Sequence, residues 1–380
     1  MFTATLINRA GTMALPFLIL YLTQSMKFSP ADAGKAMSAY GIGALAVSPL
    51  AGRLIDKIGS SAIMKFALLA SGCVMLSYPF VSGYTTIVGT TFLWAILSEA
   101  FRPASLTAIT EMIPAHQRKT AFVLNRLAIN IGVSIGPVVG GFLVLVSYKL
   151  IFLIDGFTSI LAGVFLVLTK WTVLSPSKRS ENEPIQSEQP VGSVFRDWAY
   201  LSFLGSLILA LVVFFQHNST MPLFMVQILH MKPSVYGSLF LVNTIIIIAL
   251  EVPLNDAMSH LPHRTTLMYG ALLVAAGFGA LQFAKDILGV ALTIIIWTFG
   301  EMILLPTSSA YAAELSPERK RGVYMGFYQM TFSLALISSP LFGTWIFEHY
   351  GASVLYTGAL GIGIISAIMF RGFGGTRPPQ

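Results

Sequence analysis

Seven ionisable residues lie inside long apolar runs of this sequence, namely Arg9, Glu99, Arg102, Arg126, Asp155, Glu251 and Glu301. Because burying a charge away from water is costly, such residues are expected to have a function or a close partner. A carboxyl group in a weakly solvated cavity can exchange a proton near neutral pH, and a nearby Arg opposes its protonation. These residues therefore predict proton exchange or contact with a polar substrate.

Four of the seven are the strongest candidates for proton coupling or substrate contact: Glu99, Arg102, Arg126 and Glu301. Glu99 and Arg102 are three residues apart, on one helical face, and can neutralise each other. The alternative for each of the four is a static buried pair. Asp155 and Glu251 lie nearer to helix ends, and we expect them at the membrane interface.

The composition predicts which elements position these residues. The chain has 380 residues, of which 55% are hydrophobic and only 10% are charged, and its mean hydropathy is +0.76. Soluble chains are about 25% charged, whereas apolar runs of about 20 residues are long enough to cross a bilayer. The sequence therefore predicts an all-α polytopic membrane protein. The alternating segments of about ten residues that build porin-type barrels do not occur.

Twelve spans are predicted, six on each side of a polar segment. In the first half they cover about 2–25, 32–51, 62–80, 85–111, 119–146 and 150–172. In the second half they cover about 200–229, 235–254, 266–284, 287–312, 322–346 and 351–371. We predict helical bundles over 1–172 and 199–380, joined by a linker over 173–198 that is too polar to fold alone.

Basic residues predict the orientation of these spans. Fifteen Lys and Arg fall in the even-numbered loops, the linker and the C-terminal tail, against five in the other loops. By the positive-inside rule, both termini are cytoplasmic. The net charge of +7 is then explained by the basic residues of the cytoplasmic loops, and we expect no nucleic-acid partner. The first apolar run has no basic leader, so no cleavable signal peptide is expected, and a few residues are expected to precede it.

An internal repeat relates the two halves. At an offset of 203 residues, eight identities fall in the 48 positions 94–141, among them Trp94 with Trp297, Pro103 with Pro306 and Glu111 with Glu314. Parallel six-helix repeats place the substrate between the halves, near the middle of the membrane. Glu301 lies one residue from the repeat position of Glu99.

The loop after the second span, "GRLIDKIGSS", carries the most specific motif. Gly52 to Ser61 resembles the G-x-L-x-D-R/K-x-G-R-R signature of the major facilitator superfamily, with matches at Gly52, Leu54, Asp56, Lys57 and Gly59. In that family the loop latches the outward-facing state, and here Ser60 and Ser61 replace the basic pair. The alternative is a solvated tight turn. The resemblance implies two pseudo-symmetric bundles in the major facilitator fold.

Two charge pairs repeat the E-x₆-R pattern, Glu111 with Arg118 and Glu314 with Arg321. They resemble the cytoplasmic charge network of the same family. A carboxylate at a helix end and an Arg after a Pro turn can form a structural ion pair, and gating is the second interpretation.

The fifth span contains "GVSIGPVVGG". Gly132, Gly136 and Gly140 are spaced by four residues, so they form one stripe that allows another backbone to approach closely. With Pro137 and Gly141 they resemble the fifth-helix motif of antiporters in this superfamily, which implies antiport. The alternative is an ordinary packing helix.

Weaker candidates for the cavity are Arg9, Asn130, Gln216, His217 and Asn218. The last three belong to "QHNSTMP" in the seventh span, where polar side chains need partners and Pro222 favours a break. Hydrogen bonding between helices is the alternative.

The sequence has no G-x₄-G-K-S/T loop and no nucleophile paired with a base. We therefore expect no enzyme, no bound nucleotide or other cofactor, and an ion gradient as the energy source. His217 has no second ligand at helical spacing, so no metal site is expected. Cys73, the single cysteine, is expected to pack as a small residue.

The expected function is secondary active transport: proton-coupled export of small amphipathic compounds or drugs across a bacterial inner membrane by alternating access. The expected partners are a small-molecule substrate, protons and the lipid bilayer, and the chain is expected to act as a monomer. The alternatives are a uniporter or proton symporter for a sugar, amino acid or other metabolite, and a sensor that transports nothing.

Overall fold

The computed structural model describes residues 2–113, 117–169, 194–317 and 320–372. Within the helices it describes all side chains except those of Ser48, Pro49, Thr110, Arg118, Lys119, Thr120, Phe122, Val123, Arg126, Leu127 and Arg321. The described residues are almost entirely helical and contain no strand. Most of the predicted linker lies outside them.

Eight α-helices form the N-terminal half: α1 (Phe2–Ala10), α2 (Ala14–Leu20), α3 (Pro30–Ile58), α4 (Ser60–Ser77), α5 (Tyr84–Glu99), α6 (Phe101–Met112), α7 (Arg118–Val146) and α8 (Lys149–Leu168). The C-terminal half follows with α9 (Trp198–Phe214), α10 (Thr220–Leu223), α11 (Pro233–Ala257), α12 (His263–Leu281), α13 (Ile287–Leu315) and α14 (Arg321–Gly372).

Local sequence signals set the helix ends. The Ser29 hydroxyl accepts a hydrogen bond from the Asp32 amide and caps α3, and the Asp286 carboxylate caps α13 in the same way. Gly59, Gly83 and Gly351 have φ angles of 87°, 88° and 83°, which glycine adopts without strain. These three glycines therefore turn the chain between successive helices.

The number of helices is consistent with the twelve predicted spans. Among the described residues, nine helices are long and apolar enough to cross a membrane, and a bent pair in α3 makes a tenth. The 52-residue α14 is long enough for two crossings, which meet at the non-helical Gly351. One further crossing is formed by α5 and α6, which join at Ala100.

Two predicted spans are interrupted: the break in the first was not expected, whereas Pro222 favours one in the seventh. Residues 2–25 break after α1, at Gly11–Met13, and end in a π-helical turn over Tyr21–Ser25. Residues 200–229 break into α9, a 3₁₀ turn over Phe215–Asn218, α10 and a π-helical turn over Phe224–Ile228. The break precedes Pro222, which lies inside α10.

These irregularities recur at the predicted offset of 203 residues. The π-helical turns over Tyr21–Ser25 and Phe224–Ile228 occupy equivalent positions. So do Lys27 and His230, the two non-glycine residues of the described chain with positive φ, at 61° and 53°. The backbone thus supports the repeat at a place where the two sequences have diverged.

We name the two ends of the molecule by their turns. The Gly59 end holds the turn between α3 and α4, and the Gly83 end holds the turn before α5. Between the halves, α3 packs on α14 and α7 packs on α11.

The halves touch at the Gly83 end and separate towards the Gly59 end. A Cβ on Gly41 would lie 2.7 Å from the Ile337 amide nitrogen, so α3 and α14 are in close contact there. A Cβ on Gly52, Gly322 or Gly326, nearer to the Gly59 end of the same helices, would meet no atom within 4 Å. The interface is therefore closed at the Gly83 end and open at the Gly59 end.

Candidate functional site

A cavity of about 540 Å³ lies between the halves, on the side where they separate. From the N-terminal half it is lined by Arg102 and Asn130, and the C-terminal half supplies Ile247, Glu251, Glu301, Met302, Leu305, Pro306, Ser309, Met325, Tyr328, Gln329 and Phe332. We call it the central cavity. Its volume and its mixture of apolar walls with a few charged groups are typical of small-molecule sites.

Glu301 is the carboxylate that the structure places most clearly in this cavity. The Asn243 side-chain amide donates hydrogen bonds to Glu301 Oε2 at 2.9 Å and to Thr298 Oγ1 at 3.0 Å. Asn243 lies on α11 and the other two residues on α13, so the bonds join neighbouring helices. They hold an acid towards the cavity while its second oxygen stays available.

Glu99 has a similar environment in the other half. The Tyr40 hydroxyl, from α3, donates a hydrogen bond of 2.7 Å to Glu99 Oε1 at the end of α5. Tyr40 and Asn243 occupy the same position of the repeat. In each half, a carboxylate near the middle of the chain's fourth or tenth span thus accepts a hydrogen bond from the equivalent preceding helix, α3 or α11. Sequence reasoning missed both donors, although the offset of 203 residues connects them.

Arg102 makes no ion pair with Glu99 among the described side chains. The described ion pairs within 4.0 Å are Lys35 with Asp32 and His263 with Glu314. The helix breaks at Ala100, between α5 and α6, which separates two residues expected to share one helical face. Arg102 is instead exposed and lines the central cavity.

A second, smaller cavity of about 140 Å³ lies within the N-terminal half, and we call it the Arg9 cavity. It is lined by Thr5, Arg9, Phe101, Arg102, Ser105, Leu106, Asn125 and Ile129. Because Arg102 lines both cavities, they adjoin at its side chain. Thr5, Ser105 and Asn125 were not predicted, since single small polar residues in an apolar run carry little signal.

The glycine stripe of α7 holds α1 in place. A Cβ on Gly132 would clash with Arg9 Cβ and lie 2.7 Å from the Arg9 carbonyl carbon, and a Cβ on Gly136 would lie 2.5 Å from the Thr12 oxygen. Gly140 faces Met13 and Phe17. The predicted close approach of another backbone is confirmed, and that backbone is the broken first span.

The end of the stripe closes the interface at the Gly83 end. A Cβ on Gly141 would lie 3.2 Å from Gly237 Cα, across the boundary between the halves. Pro137 lies inside α7, and its carbonyl oxygen faces Gly237. At the same end, the Ala31 amide donates a hydrogen bond of 2.6 Å to Glu348 Oε2 of the other half.

Asp155 differs from its expected interfacial position. It is only 5% exposed, and its Oδ2 accepts a hydrogen bond of 3.2 Å from the Ala14 amide. The acid therefore stabilises the start of α2, where the first span is broken. This break explains a buried carboxylate that a continuous helix would not need.

The polar residues of the seventh span lie outside the central cavity. Gln216, His217 and Asn218 are buried. Gln216 donates to the Ser339 carbonyl oxygen at 3.3 Å and lines an apolar groove of about 300 Å³ beside α14. His217 Nδ1 lies 2.7 Å from the Phe214 carbonyl oxygen, and its ring stacks on Trp297. Their role in a cavity stays a prediction.

The motif at the Gly59 end has exposed charges, since Asp56 and Lys57 both face solvent. Ser60, which stands in place of a basic residue, donates a 2.5 Å hydrogen bond to Glu111. Its equivalent in the repeat is His263, whose Nε2 lies 3.2 Å from Glu314 Oε2.

Both glutamates of the E-x₆-R pattern thus contact the start of the preceding long helix within their own half. The side chains of Arg118, Arg126 and Arg321 lie outside the described set, so their predicted roles stay predictions. Among the described residues no group of three or more His, Cys, Asp or Glu is placed to hold a metal ion. Cys73 is exposed rather than packed.

Similar proteins are bacterial membrane transporters. The chain is 24% identical over 353 residues to the "Uncharacterized MFS-type transporter YqjV" of Bacillus subtilis (strain 168), covering 92% of this chain and 85% of the relative. It is 22% identical to the "Na(+), Li(+), K(+)/H(+) antiporter" of Planococcus maritimus, covering 88% and 85%. It is 21% identical to the "Quinolone resistance protein NorA" of Staphylococcus aureus (strain COL), covering 94% and 91%.

Solved transporters share the fold. A variant of the nucleoside transporter NupG superposes with a TM-score of 0.83 at 13% identity, covering 98% of both chains. A POT family transporter in complex with a thioalcohol conjugated peptide superposes with a TM-score of 0.81 at 14% identity, covering 98% and 94%. The family model of the Major Facilitator Superfamily matches residues 1–230 and 203–380. With its paired halves, its cavity between them and this match along its whole length, the chain belongs to the major facilitator superfamily of membrane transporters.

Proposed function

We propose that this chain is a proton-coupled exporter of small amphipathic compounds, working by alternating access. The observation that carries the proposal is the Glu301 carboxylate, which lines the central cavity between the halves and accepts one hydrogen bond from Asn243. A carboxyl group in such a position can bind either a proton or the polar end of a substrate, and that competition is what antiport requires.

The proposed cycle uses the two ends of the molecule in turn. With the Gly59 end open, Glu301 is ionised, and a compound with a cationic or hydrogen-bond-donating group binds beside it. Closure of the Gly59 end and opening of the Gly83 end then expose the site to the other side. A proton on Glu301 displaces the compound there, and the protonated protein returns and releases its proton at the Gly59 end.

The substrate class follows from the walls of the central cavity. Met302, Met325 and Phe332 offer apolar and adaptable surface, and a volume of about 540 Å³ accepts a drug-sized compound. The name of one similar protein states quinolone resistance, which agrees with this substrate class, and the name of another states cation/proton antiport, which agrees with this coupling. Antiport is also what the resemblance of the α7 glycine motif implies.

The Gly59 end would face the cytoplasm of a bacterial cell, since fifteen of the basic loop and terminal residues belong to that side. The proposed cycle also requires the predicted division of the chain into two bundles, over 1–172 and 199–380. The irregular turns at equivalent positions support it.

Proton movement in liposomes tests the proposal. Purified protein would be reconstituted with a pH-sensitive dye in the lumen, and an outward gradient of fluorescent amphipathic amines would be imposed. We expect proton movement opposite to the amine, and its loss in Glu301→Gln. Asp256→Asn is the matched control and should keep it, because Asp256 is an exposed acid of the same half, on α11, outside the lining of the central cavity.

The alternatives give different results in the same experiment. Protons that move with the compound indicate a symporter, and transport without proton movement indicates a uniporter. Either outcome would overturn the antiport proposal, and so would full coupling in Glu301→Gln.

A further inference from the structure

The described lining of the small Arg9 cavity contains two arginines and no acid. Its volume of about 140 Å³ corresponds to roughly five water molecules at about 30 Å³ each. It is too small for a whole amphipathic compound but large enough for a carboxylate, sulfonate or phosphate group. Of its other polar walls, Thr5 donates to Asn125 Oδ1 and Ser105 donates to the Arg102 carbonyl oxygen, which leaves the Asn125 side-chain NH₂ as a donor for an anion.

Arg9 is short of partners. Its Nε is buried and has no hydrogen-bond partner among the described residues. Within the described chain, no carboxylate oxygen lies within 4.0 Å of the guanidinium group of Arg9 or Arg102. A buried donor without a partner is costly, so Arg9 Nε leaves one hydrogen bond unmet beside the cavity.

The nearest acids of this half already serve other groups. Asp155 accepts from the Ala14 amide at 3.2 Å, and Glu99 accepts from the Tyr40 hydroxyl at 2.7 Å. Asp155 on α8 therefore stabilises the broken first span, α3 holds Glu99, and neither carboxylate lines the Arg9 cavity.

The fold itself does not need the two bases. At the offset of 203 residues, Arg9 corresponds to Val212 and Arg102 to Leu305. The other half builds the same helices with apolar side chains at both positions. Because the pair belongs to one half only, its presence calls for an explanation beyond packing.

We propose that Arg9 and Arg102 bind an anionic group of the transported compound. The inference rests on the proposed function and deepens it. Arg102 lines both cavities, so a compound with its anionic group in the Arg9 cavity can extend its body into the central cavity and reach Glu301. A cationic or donor group then faces Glu301, and the preferred substrates are amphipathic zwitterions with about one ring system between their charges.

Equilibrium binding of a matched pair of compounds tests this assignment. The pair is tritiated 6-(aminomethyl)-2-naphthoate and its carboxamide, which differ in the anionic charge but hardly in shape. Binding would be measured by scintillation proximity in phosphatidylcholine nanodiscs, with no gradient. We expect the wild-type protein to bind the acid about tenfold more tightly than the amide, or better, as charge-assisted hydrogen bonds allow.

Four variants locate the preference. Arg9→Gln and Arg102→Gln should each reduce the acid-to-amide ratio to about one, because each removes a charge that pairs with the acid and not with the amide. A merely structural defect would weaken binding of both compounds and keep the ratio. Arg9→Lys should restore part of the ratio, since it keeps the charge. Arg53→Gln, at an exposed base near the Gly59 end, is the control and should keep the full ratio.

Three results would overturn the assignment: no binding of the acid by the wild-type protein, equal binding of acid and amide, or a full ratio in Arg9→Gln. Nanodiscs that contain phosphatidylglycerol test whether the bound anion is instead a lipid phosphate. If that lipid competes with the acid and Arg9→Gln removes the competition, the anion is a lipid phosphate and the substrate assignment is wrong. Glu301→Gln should keep the ratio, so failure of proton coupling and failure of this inference are distinguishable.

Discussion

Single side chains show how similar backbones carry different chemistry in the two halves. Tyr40 and Asn243 stand at the same position of the repeat, and each donates to a membrane carboxylate, Glu99 or Glu301. Only Asn243 serves an acid that lines the central cavity. The same donor position thus supports a cavity acid in one half and an acid at a helix break in the other.

Asn243→Ala should impair coupling as well as stability. It removes the hydrogen bonds to Glu301 and Thr298, so we expect the free energy of unfolding to fall by about 2 kcal/mol. Because Glu301 loses the amide that orients it, the initial rate of proton movement in liposomes should fall about tenfold. Thermal unfolding in detergent and the dye assay measure the two effects.

Asn255→Ala is the matched control for that variant. Asn255 also lies on α11 and also donates to α13, at the Met302 carbonyl oxygen, at 3.1 Å. Its loss should lower stability to a similar extent but leave coupling intact. If both variants lose coupling equally, the role assigned to Asn243 is structural only.

Among the helices, α7 has the clearest structural role, because the broken first span packs closely against it. Gly132 and Gly136 lie against the backbone of Arg9 and Thr12. The motif that resembles an antiporter signature is therefore the surface that fixes the position of Arg9. A packing stripe and a candidate binding residue are parts of one arrangement.

Gly132→Ala should destabilise the protein despite the better helix propensity of Ala. The new Cβ would overlap Arg9 and force α1 away, at an expected cost of about 1–3 kcal/mol in unfolding free energy. Gly89→Ala is the control, because a Cβ on Gly89 meets nothing within 4 Å, and Ala there should be neutral or slightly stabilising. Thermal unfolding in detergent measures the stability of both variants. Equal stability of Gly132→Ala and Gly89→Ala would contradict the close packing of α1 on α7.

Much of the fold and part of the site were predictable from the sequence. Apolar length and basic loops predict the spans, and the four-residue spacing of the α7 glycines predicts close packing. The break at Gly11–Met13 was not predictable, because hydropathy does not report backbone conformation. A break in the seventh span was favoured by Pro222, although the 3₁₀ turn lies before it, over Phe215–Asn218. The Arg9 cavity was missed as a unit, since it joins residues of α1, α6 and α7 that are distant in sequence.

The whole molecule is closed at the Gly83 end and open at the Gly59 end, which is one state of the proposed alternating-access cycle. The closure depends on backbone contacts that tolerate no side chain, such as Gly141 against Gly237. Glu348 adds a hydrogen bond across the same boundary. Larger side chains at those glycines should therefore shift the population towards the conformation that is open at the Gly83 end and closed at the Gly59 end.

Gly141→Val and Gly237→Val should reduce access to the central cavity from the Gly59 end. The reporter is Ser309→Cys, a cavity position that is exposed, in a Cys73→Ser background. Labelling by a membrane-impermeant maleimide should be fast in inverted vesicles, which also tests the predicted cytoplasmic side. Each valine should slow it several-fold, because a wedge at the Gly83 end favours the state closed at the Gly59 end.

Gly361→Val, where a Cβ meets nothing within 4 Å, is the control and should leave labelling unchanged. Fast labelling in right-side-out cells would reverse the assigned orientation. Unchanged labelling in both interfacial valine variants would mean that these contacts do not control the opening.

The π-helical turns at Tyr21–Ser25 and Phe224–Ile228 indicate that the two halves arose by gene duplication. Lys27 and His230 keep the same unfavourable backbone conformation, although neither is the glycine that would adopt it without strain. Two copies of an ancestral six-helix gene would inherit such a detail together, and independent origins would not produce it twice at one offset. The shared backbone detail therefore records the duplication at positions where the side chains of the two halves differ, as Arg9 and Arg102 differ from Val212 and Leu305.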